Sequence, residues 1–201
     1  YCGSTENIPV SEMKDIDVRQ AVHAKILKEH HRDPDTLVVD EFVMNLGESR
    51  ADITVINGLM HGYELKSKSD NLLRLPAQIG YYSSVMDKVT LVVSECHLDA
   101  ARSLIPGWWG IKVATEGARR AVHIRTERSC RMNPQIDKIS LAMLLWKDEM
   151  LSILASRGYE RGLKSKPRRI LWTTLSDLLE INELRNEVRR CLKARINWRA
   201  D

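Results

Sequence analysis

At 201 residues and 23.1 kDa the chain can bury one full-size core with at most a small helical appendage, which excludes two large domains. Its 43% hydrophobic and 29% charged residues exclude a disordered or collagen-like chain, and no run of about 18 apolar residues stands ready to cross a bilayer. The net charge of +4 is uneven: residues 157–201 hold twelve Lys/Arg against six Asp/Glu, which suits either a phosphate-backbone partner or a solvated helix face. Cys2, Cys96, Cys130 and Cys191 show no Cys-x-x-Cys spacing, and no charged-then-apolar leader opens the sequence, so a reducing, cytoplasmic setting is expected. Residues 1–11, which begin on Tyr1 rather than a methionine, are left out of the fold reading.

In chain order, Asp17 is placed to cap a helix over 18–31, with Val18, Val22 and Ile26 at four-residue spacing and Leu27 beside them, ended by Asp33-Pro34. Residues 36–39 form a short β-branched strand before the acidic pair Asp40-Glu41, and 45–49 form a loop. Residues 51–56 and 60–66 flank Asn57-Gly58 as a hairpin. A helix follows over 72–85, its regular part starting near Leu75 because Pro76 is tolerated only in a first turn. Then come a buried strand at 88–94, a short helix at 97–104 closed by Pro106-Gly107, and strands at 110–115 and 122–126. Beyond Asn133-Pro134 the pattern turns helical, over 139–155, 168–179 and 183–196, with a loop at 158–167.

Chemistry concentrates in the hairpin. Glu64 and Lys66 lie two residues apart in a strand and share a face, while Tyr63 and Leu65 take the other. A three-residue loop brings Asp52 to the same face, opposite Glu64 or one pair away; a two-residue turn would send the carboxylates to opposite faces. Crowded carboxylates resist joint ionisation unless a cation neutralises them, and oxygen-only clusters suit Mg²⁺ or Mn²⁺. Asp52 and Glu64 are therefore the expected metal ligands. Lys66 is expected to orient the attacking water and steady developing charge in phosphodiester hydrolysis, the plainer alternative being a structural salt bridge to Glu64 or Asp52.

Arg50-Ala51-Asp52, eleven intervening residues and Glu64-Leu65-Lys66 resemble the D…(D/E)-x-K signature of the PD-(D/E)XK nuclease superfamily, with Ala51 where the superfamily's name has proline. The order helix, strand, hairpin, helix, strand over 18–94 is similar too, and Gln78-Ile79-Gly80-Tyr81-Tyr82 resembles the Q-x-x-x-Y motif of several such nucleases. The run from Gly62 to Ser67, then Asp70, Arg74-Leu75, Trp108-Trp109-Gly110 and Leu145-Trp146-Lys147-Asp148-Glu149, looks like an uncharacterised bacterial subfamily across nearly the whole chain. This resemblance implies an α/β, restriction-endonuclease-like core with a mixed central sheet flanked by helices at 12–130, and a helical carboxy-terminal segment at 131–201. It implies a metal-dependent deoxyribonuclease using Mg²⁺ or Mn²⁺, with RNA as the other polymer admitted. Catalytic residues would be Asp52, Glu64, Lys66 and Glu41, the last supplying a further acid with Glu29 as rival. Gln78 and Tyr82 would position the lysine, the metal's water or the nucleic-acid backbone.

Lys68, Asp70 and Arg74 follow the strand where a loop can meet a phosphate, though a solvated loop has the same composition. In the last helix Arg185, Arg189 and Lys193 make a basic stripe opposite an apolar one, expected to contact DNA, and with the break at Glu180-Ile181-Asn182 the pair of helices is compatible with a helix-turn-helix. His61 and His97 read as structural, and Trp108-Trp109 as the closing edge of a core. Two other functions carry the same motifs: a non-catalytic nucleic-acid-binding or regulatory module on a nuclease fold, and a toxin or effector nuclease held by an inhibitor protein. Expected partners are DNA, a second copy of the chain or such an inhibitor, and no membrane.

Overall fold

The computed structural model describes residues 13–159 and 161–195. The chain opens with α1 (Asp15–Ala21), a π-helical turn (Val22–Ile26) and α2 (Lys28–Arg32). Alternating apolar residues then draw β1 (Leu37–Met44), β2 (Ser49–Ile56) and β3 (Met60–Lys66) into an antiparallel meander. The helix α3 (Leu75–Val85) carries the chain back to β4 (Lys88–Ser94), parallel to β3, and α4 (Leu98–Leu104) does the same for β5 (Gly110–Glu116), after which β6 (Val122–Arg128) returns antiparallel. Parallel pairs thus fall where a helical crossover permits them. The six-stranded mixed sheet has the order β1-β2-β3-β4-β5-β6 and is flanked by helices, so the fold is α/β as expected.

One face of the sheet is covered by the amino-terminal helices: Val18, Ala21, Val22 and Leu27 pack against Ile53, Val55, Tyr63, Leu65 and Val92. Two expectations are corrected here. The helix begins at Asp15, and Asp17 is not its cap; the Asp17 carboxylate accepts the Lys14 backbone N–H at 2.9 Å from inside the first turn. Leu27 rather than Ile26 is fully buried, because Leu27 N–H bonds the Val22 carbonyl five residues back at 3.0 Å, and the extra residue in that turn rotates the apolar stripe.

The other face carries α3, α4 and four further helices: α5 (Lys138–Ala142), α6 (Lys147–Ala155), α7 (Arg168–Leu178) and α8 (Ile181–Ala194). Leu91, Val93 and Trp109 share one apolar cluster with Leu141, Ile153, Leu171, Leu184 and Val188, so the helical segment set apart at residue 131 packs on the same core as the sheet. The helix expected over 139–155 is two helices, since Trp146 is extended and starts α6, its N–H donating to Glu149 at 2.7 Å. The last helix starts at Ile181, and Ile196 lies outside the described residues. Among the described residues no helix is long and apolar enough to cross a membrane.

The strand expected at 36–39 runs on to Met44 through Asp40-Glu41, and Ser49 already belongs to β2. Glu41 sits inside β1 with φ of 56°. Val39 before it and Phe42 and Met44 after it all join the same apolar cluster, so the strand exchanges faces at this residue, a left-handed conformation that costs a non-glycine residue about 1 kcal/mol or more.

Asp87, at the start of β4, is buried at 1% exposure and anchors the last helix. Its Oδ2 accepts the Met60 N–H at 2.8 Å and the Arg189 guanidinium at 3.2 Å, and its Oδ1 faces Arg185 Nε at 3.1 Å. Arg185 and Arg189 are therefore corrected from DNA-contacting to structural residues: their charges are spent on an inward carboxylate. Leu184, Val188, Cys191 and Leu192 are also buried, so α8 packs its apolar stripe on the core. Lys193 remains exposed.

Candidate active site

Residues 57–59 join β2 to β3, the odd loop length that lets both carboxylates share a face. The turn is not closed by a left-handed glycine: Gly58 has no positive φ, and the Asn57 side chain instead accepts the Leu59 N–H at 3.1 Å. The paired register ends at Ile53↔Tyr63, and beyond it the Asp52 carboxylate accepts the Leu65 N–H at 2.7 Å. Glu64 and Lys66 pair with Leu91 and Val93 of β4, on the sheet face that α3 covers.

Glu64 is the centre of the cluster, 1% exposed and held by three donors. Its Oε1 accepts Lys66 Nζ at 2.6 Å and Gln78 Nε2 at 2.6 Å, and its Oε2 accepts the Tyr82 hydroxyl at 2.6 Å. The Tyr82 hydroxyl also accepts the Asp52 N–H at 3.2 Å, which links both carboxylate residues through one side chain. Gln78 and Tyr82 stand one turn apart on α3, so both reach the same strand. Gly62 makes that reach possible: a Cβ there would stand 2.8 Å from the Tyr82 ring. Trp109, fully buried, backs Tyr82 edge to face at 5.5 Å. Tyr82 is itself fully buried, so it holds the site and does not touch a substrate; Gln78 is likewise engaged on Glu64.

Burial and the Glu64 charge push the Asp52 carboxyl up to about 7, and the same two causes, with Asp52, hold the Tyr82 phenol well above its ordinary value. The Asp52 side chain keeps 23% of its exposure and meets Arg19, a residue the sequence reading missed. Arg19 donates to the Asp52 carbonyl at 2.7 Å and to Glu41 at 2.8 Å, and approaches the Asp52 carboxylate at 3.4 Å and Asp15 at 3.6 Å. Glu41 is thus tied to Asp52 through Arg19 while its own side chain stays half exposed at 51%. The rival Glu29 is paired with Arg32 at 2.9 Å on α2 and takes no part.

The other expected residues lie as follows. Asp70 holds the loop after β3, its carboxylate accepting the Ser67 N–H at 2.7 Å and hydroxyl at 2.6 Å. Lys68 and Arg74 are exposed on that loop and at the start of α3. His61 stacks on Tyr63 on the opposite side of β3 and bonds Thr90 at 2.9 Å; burial pushes it down to about 3, so it stays neutral and outside the site.

The donor set is of the hard oxygen type, with the Gln78 Oε1 buried and without a hydrogen-bond partner beside the carboxylates. It fits a divalent cation such as Mg²⁺, which takes one or two carboxylates and keeps several waters. Among the described residues no group of three or more His, Cys, Asp or Glu side chains forms a fuller cage.

The raised Asp52 value has a consequence for stability. The folded state holds this proton up to about pH 7, whereas an unfolded aspartate releases it near pH 4, so the stabilising contribution is complete below about pH 4 and is lost as pH rises through 7. In EDTA, Asp52→Asn should melt with the parent below about pH 4 and above it at pH 8, by on the order of 2 kcal/mol after allowance for solvent and Arg19. Thermal melts of both proteins across that range check this, and a difference independent of pH would refute it.

The family model described as bacteriophage P4 protein cII matches residues 11–201. Protein cII of Enterobacteria phage P4 is 24% identical over 161 residues, covering 80% of this chain and 60% of its own length. The chain therefore spans about 60% of the curated relative that it matches. Among solved structures, a protein of unknown function from Silicibacter pomeroyi is similar at 18% identity and a TM-score of 0.45, over 79% of this chain and 98% of that one.

Proposed function

This chain belongs to the bacteriophage P4 protein cII family, a membership that leaves the chemistry to be read from the site, and from that site we propose that it hydrolyses phosphodiester bonds of DNA with a divalent cation. The observation that carries the reading is that Lys66, Gln78 and Tyr82 all bond the buried Glu64, while the Asp52 carboxylate holds the N–H of the adjacent Leu65, close enough to Glu64 for that charge to raise its pKa. The resemblance of these residues to the PD-(D/E)XK signature supports the same reaction.

Asp52 and Glu64 would hold the cation, which when bound supplies charge for the phosphoryl oxygen and lowers the pKa of water. Lys66 keeps its ammonium at Glu64 Oε1, where it can donate to an attacking water and to charge developing on the phosphate. Gln78 and Tyr82 fix the Glu64 carboxylate before substrate arrives, so little reorganisation is left to the reaction itself. Arg19 orients Asp52 through its carbonyl and joins Glu41 to the site, so Glu41 acts at one remove.

A panel of circular, linear, single-stranded and branched DNA, incubated with Mg²⁺, Mn²⁺ or EDTA, tests the reading. Cleavage is expected with either metal and none with EDTA; intact substrates under every condition would overturn it. A second reading, a nucleic-acid-binding module without turnover, draws on the three donors that already satisfy Glu64 within the chain. It predicts no heat of Mn²⁺ binding, whereas the nuclease reading predicts a titration that Asp52→Asn abolishes.

A further inference from the structure

The carboxy-terminal cations divide into those that face a carboxylate and those that do not. Arg185 and Arg189 face Asp87, Arg157 and Arg190 face Glu187, and Arg195 faces Glu149. Arg161, Lys164, Lys166, Arg168 and Arg169 are all exposed, and none has an ion-pair partner among the described residues. No acidic residue occurs from 161 to 176. The carboxy-terminal charge excess is therefore concentrated in the loop before α7 and its first turn, not on the α8 stripe where helical periodicity pointed.

This loop adjoins a cleft of about 920 Å³ along the outer edge of β1. Arg19, the guanidinium bonded to Asp52, lines the cleft with Glu41, and so do Trp146 and Arg168. The acids in it are already engaged, Asp15 and Glu41 by Arg19 and Asp40 by His23 at 2.9 Å. Trp146 leaves 52% of its surface in solvent while the Arg195 guanidinium lies 4.2 Å from its ring centroid. An exposed aromatic on the wall of a cleft that Arg50 and Arg168 also line is a stacking surface for an unpaired base, which a duplex, whose bases stack on each other, does not offer.

We propose that this cleft is the track for single-stranded DNA entering the acid–lysine site, its phosphates held by the five cations of residues 161–169 and one base stacked on Trp146. The proposal rests on the nuclease reading and adds to it the strand state of the substrate and the surface that guides it. A duplex would meet the loop cations and gain nothing from Trp146.

The test uses the full chain carrying Glu64→Gln, in EDTA, with binding of fluorescein-labelled single-stranded oligonucleotides followed by anisotropy over roughly 50 to 200 mM salt. Replacing Lys164, Lys166, Arg168 and Arg169 by Gln should weaken binding about tenfold or more and lower the salt slope by about 0.7 for each phosphate that is no longer neutralised. Trp146→Ala should weaken single-strand binding about fivefold or more with the slope unchanged, Trp146→Phe should retain most of it, and duplex binding should not respond to either. Equal binding and slope in the loop variant, an equal response of duplex to Trp146→Ala, or no binding by the Glu64→Gln protein would each overturn the proposal. If the parent cleaves DNA and the loop variant binds and cleaves as it does, the track is wrong and the nuclease stands. If the loop variant loses binding while the parent cleaves nothing, the track stands and the nuclease falls.

Discussion

A folded Glu64→Gln protein is expected to cleave DNA about 10³-fold more slowly than the parent at saturating Mg²⁺, and Lys66→Met about 10²-fold or more. Glu64 combines two roles that the amide separates. Its shape and one of its two acceptor oxygens survive in glutamine, so only the donors on that one oxygen keep their acceptor, and the negative charge that would hold a cation is gone. The change also leaves the 6%-exposed Lys66 without its buried counterion. Lys66→Met keeps the volume of the stem and removes only the ammonium, so comparing the two variants separates loss of the anion from loss of the cation. Single-turnover cleavage of a plasmid, with circular dichroism as the control for folding, is the measurement. Folded variants that cleave within threefold of the parent would remove the assignment of the site.

The second large effect concerns stability. Asp87→Ala is expected to lower stability by about 3 kcal/mol, which in a chain of this size lowers the melting temperature by roughly 6–12 °C. The substitution strips two half-buried guanidinium groups, Arg185 and Arg189, of their shared carboxylate and leaves the Met60 N–H without its acceptor. Breaking one member of a buried charge cluster costs more than the cluster is worth, because the remaining charges stay desolvated. Asp87→Asn, which keeps one acceptor for Met60, should recover part of the loss. A melting curve for Asp87→Ala within about 2 °C of the parent would show that the last helix is held by its apolar face alone.

Both sites differ in how far a linear pattern could reveal them. The hairpin was legible because its logic is local: turn signals give the three-residue loop, and a side-chain period of two puts Glu64 and Lys66 on one face without reference to the rest of the chain. The start of α3 was legible for a similar reason, since Pro76 admits only a first-turn position. Gln78 and Tyr82 were flagged by their spacing, but their engagement on Glu64 depends on Gly62, whose missing side chain lets α3 lie close to β3. Arg19 carried no signal of its own, one arginine on an amphipathic helix, and its bond to Asp52 spans 33 residues of chain.

The basic stripe of α8 shows the opposite failure. Four-residue spacing correctly puts Arg185, Arg189 and Lys193 on one side of a helix, yet periodicity reports only that residues share a side and is silent on what that side meets. The sequence by itself determined most of the strands, the crossover helices and the shared face of Glu64 and Lys66, because hydrophobic period and turn length act within a few residues. Only the tertiary structure decided which charges are spent on the protein and which remain for a partner, because a guanidinium is neutralised by whatever carboxylate lies near it in space, and Asp87 is 102 residues from the Arg189 that it binds.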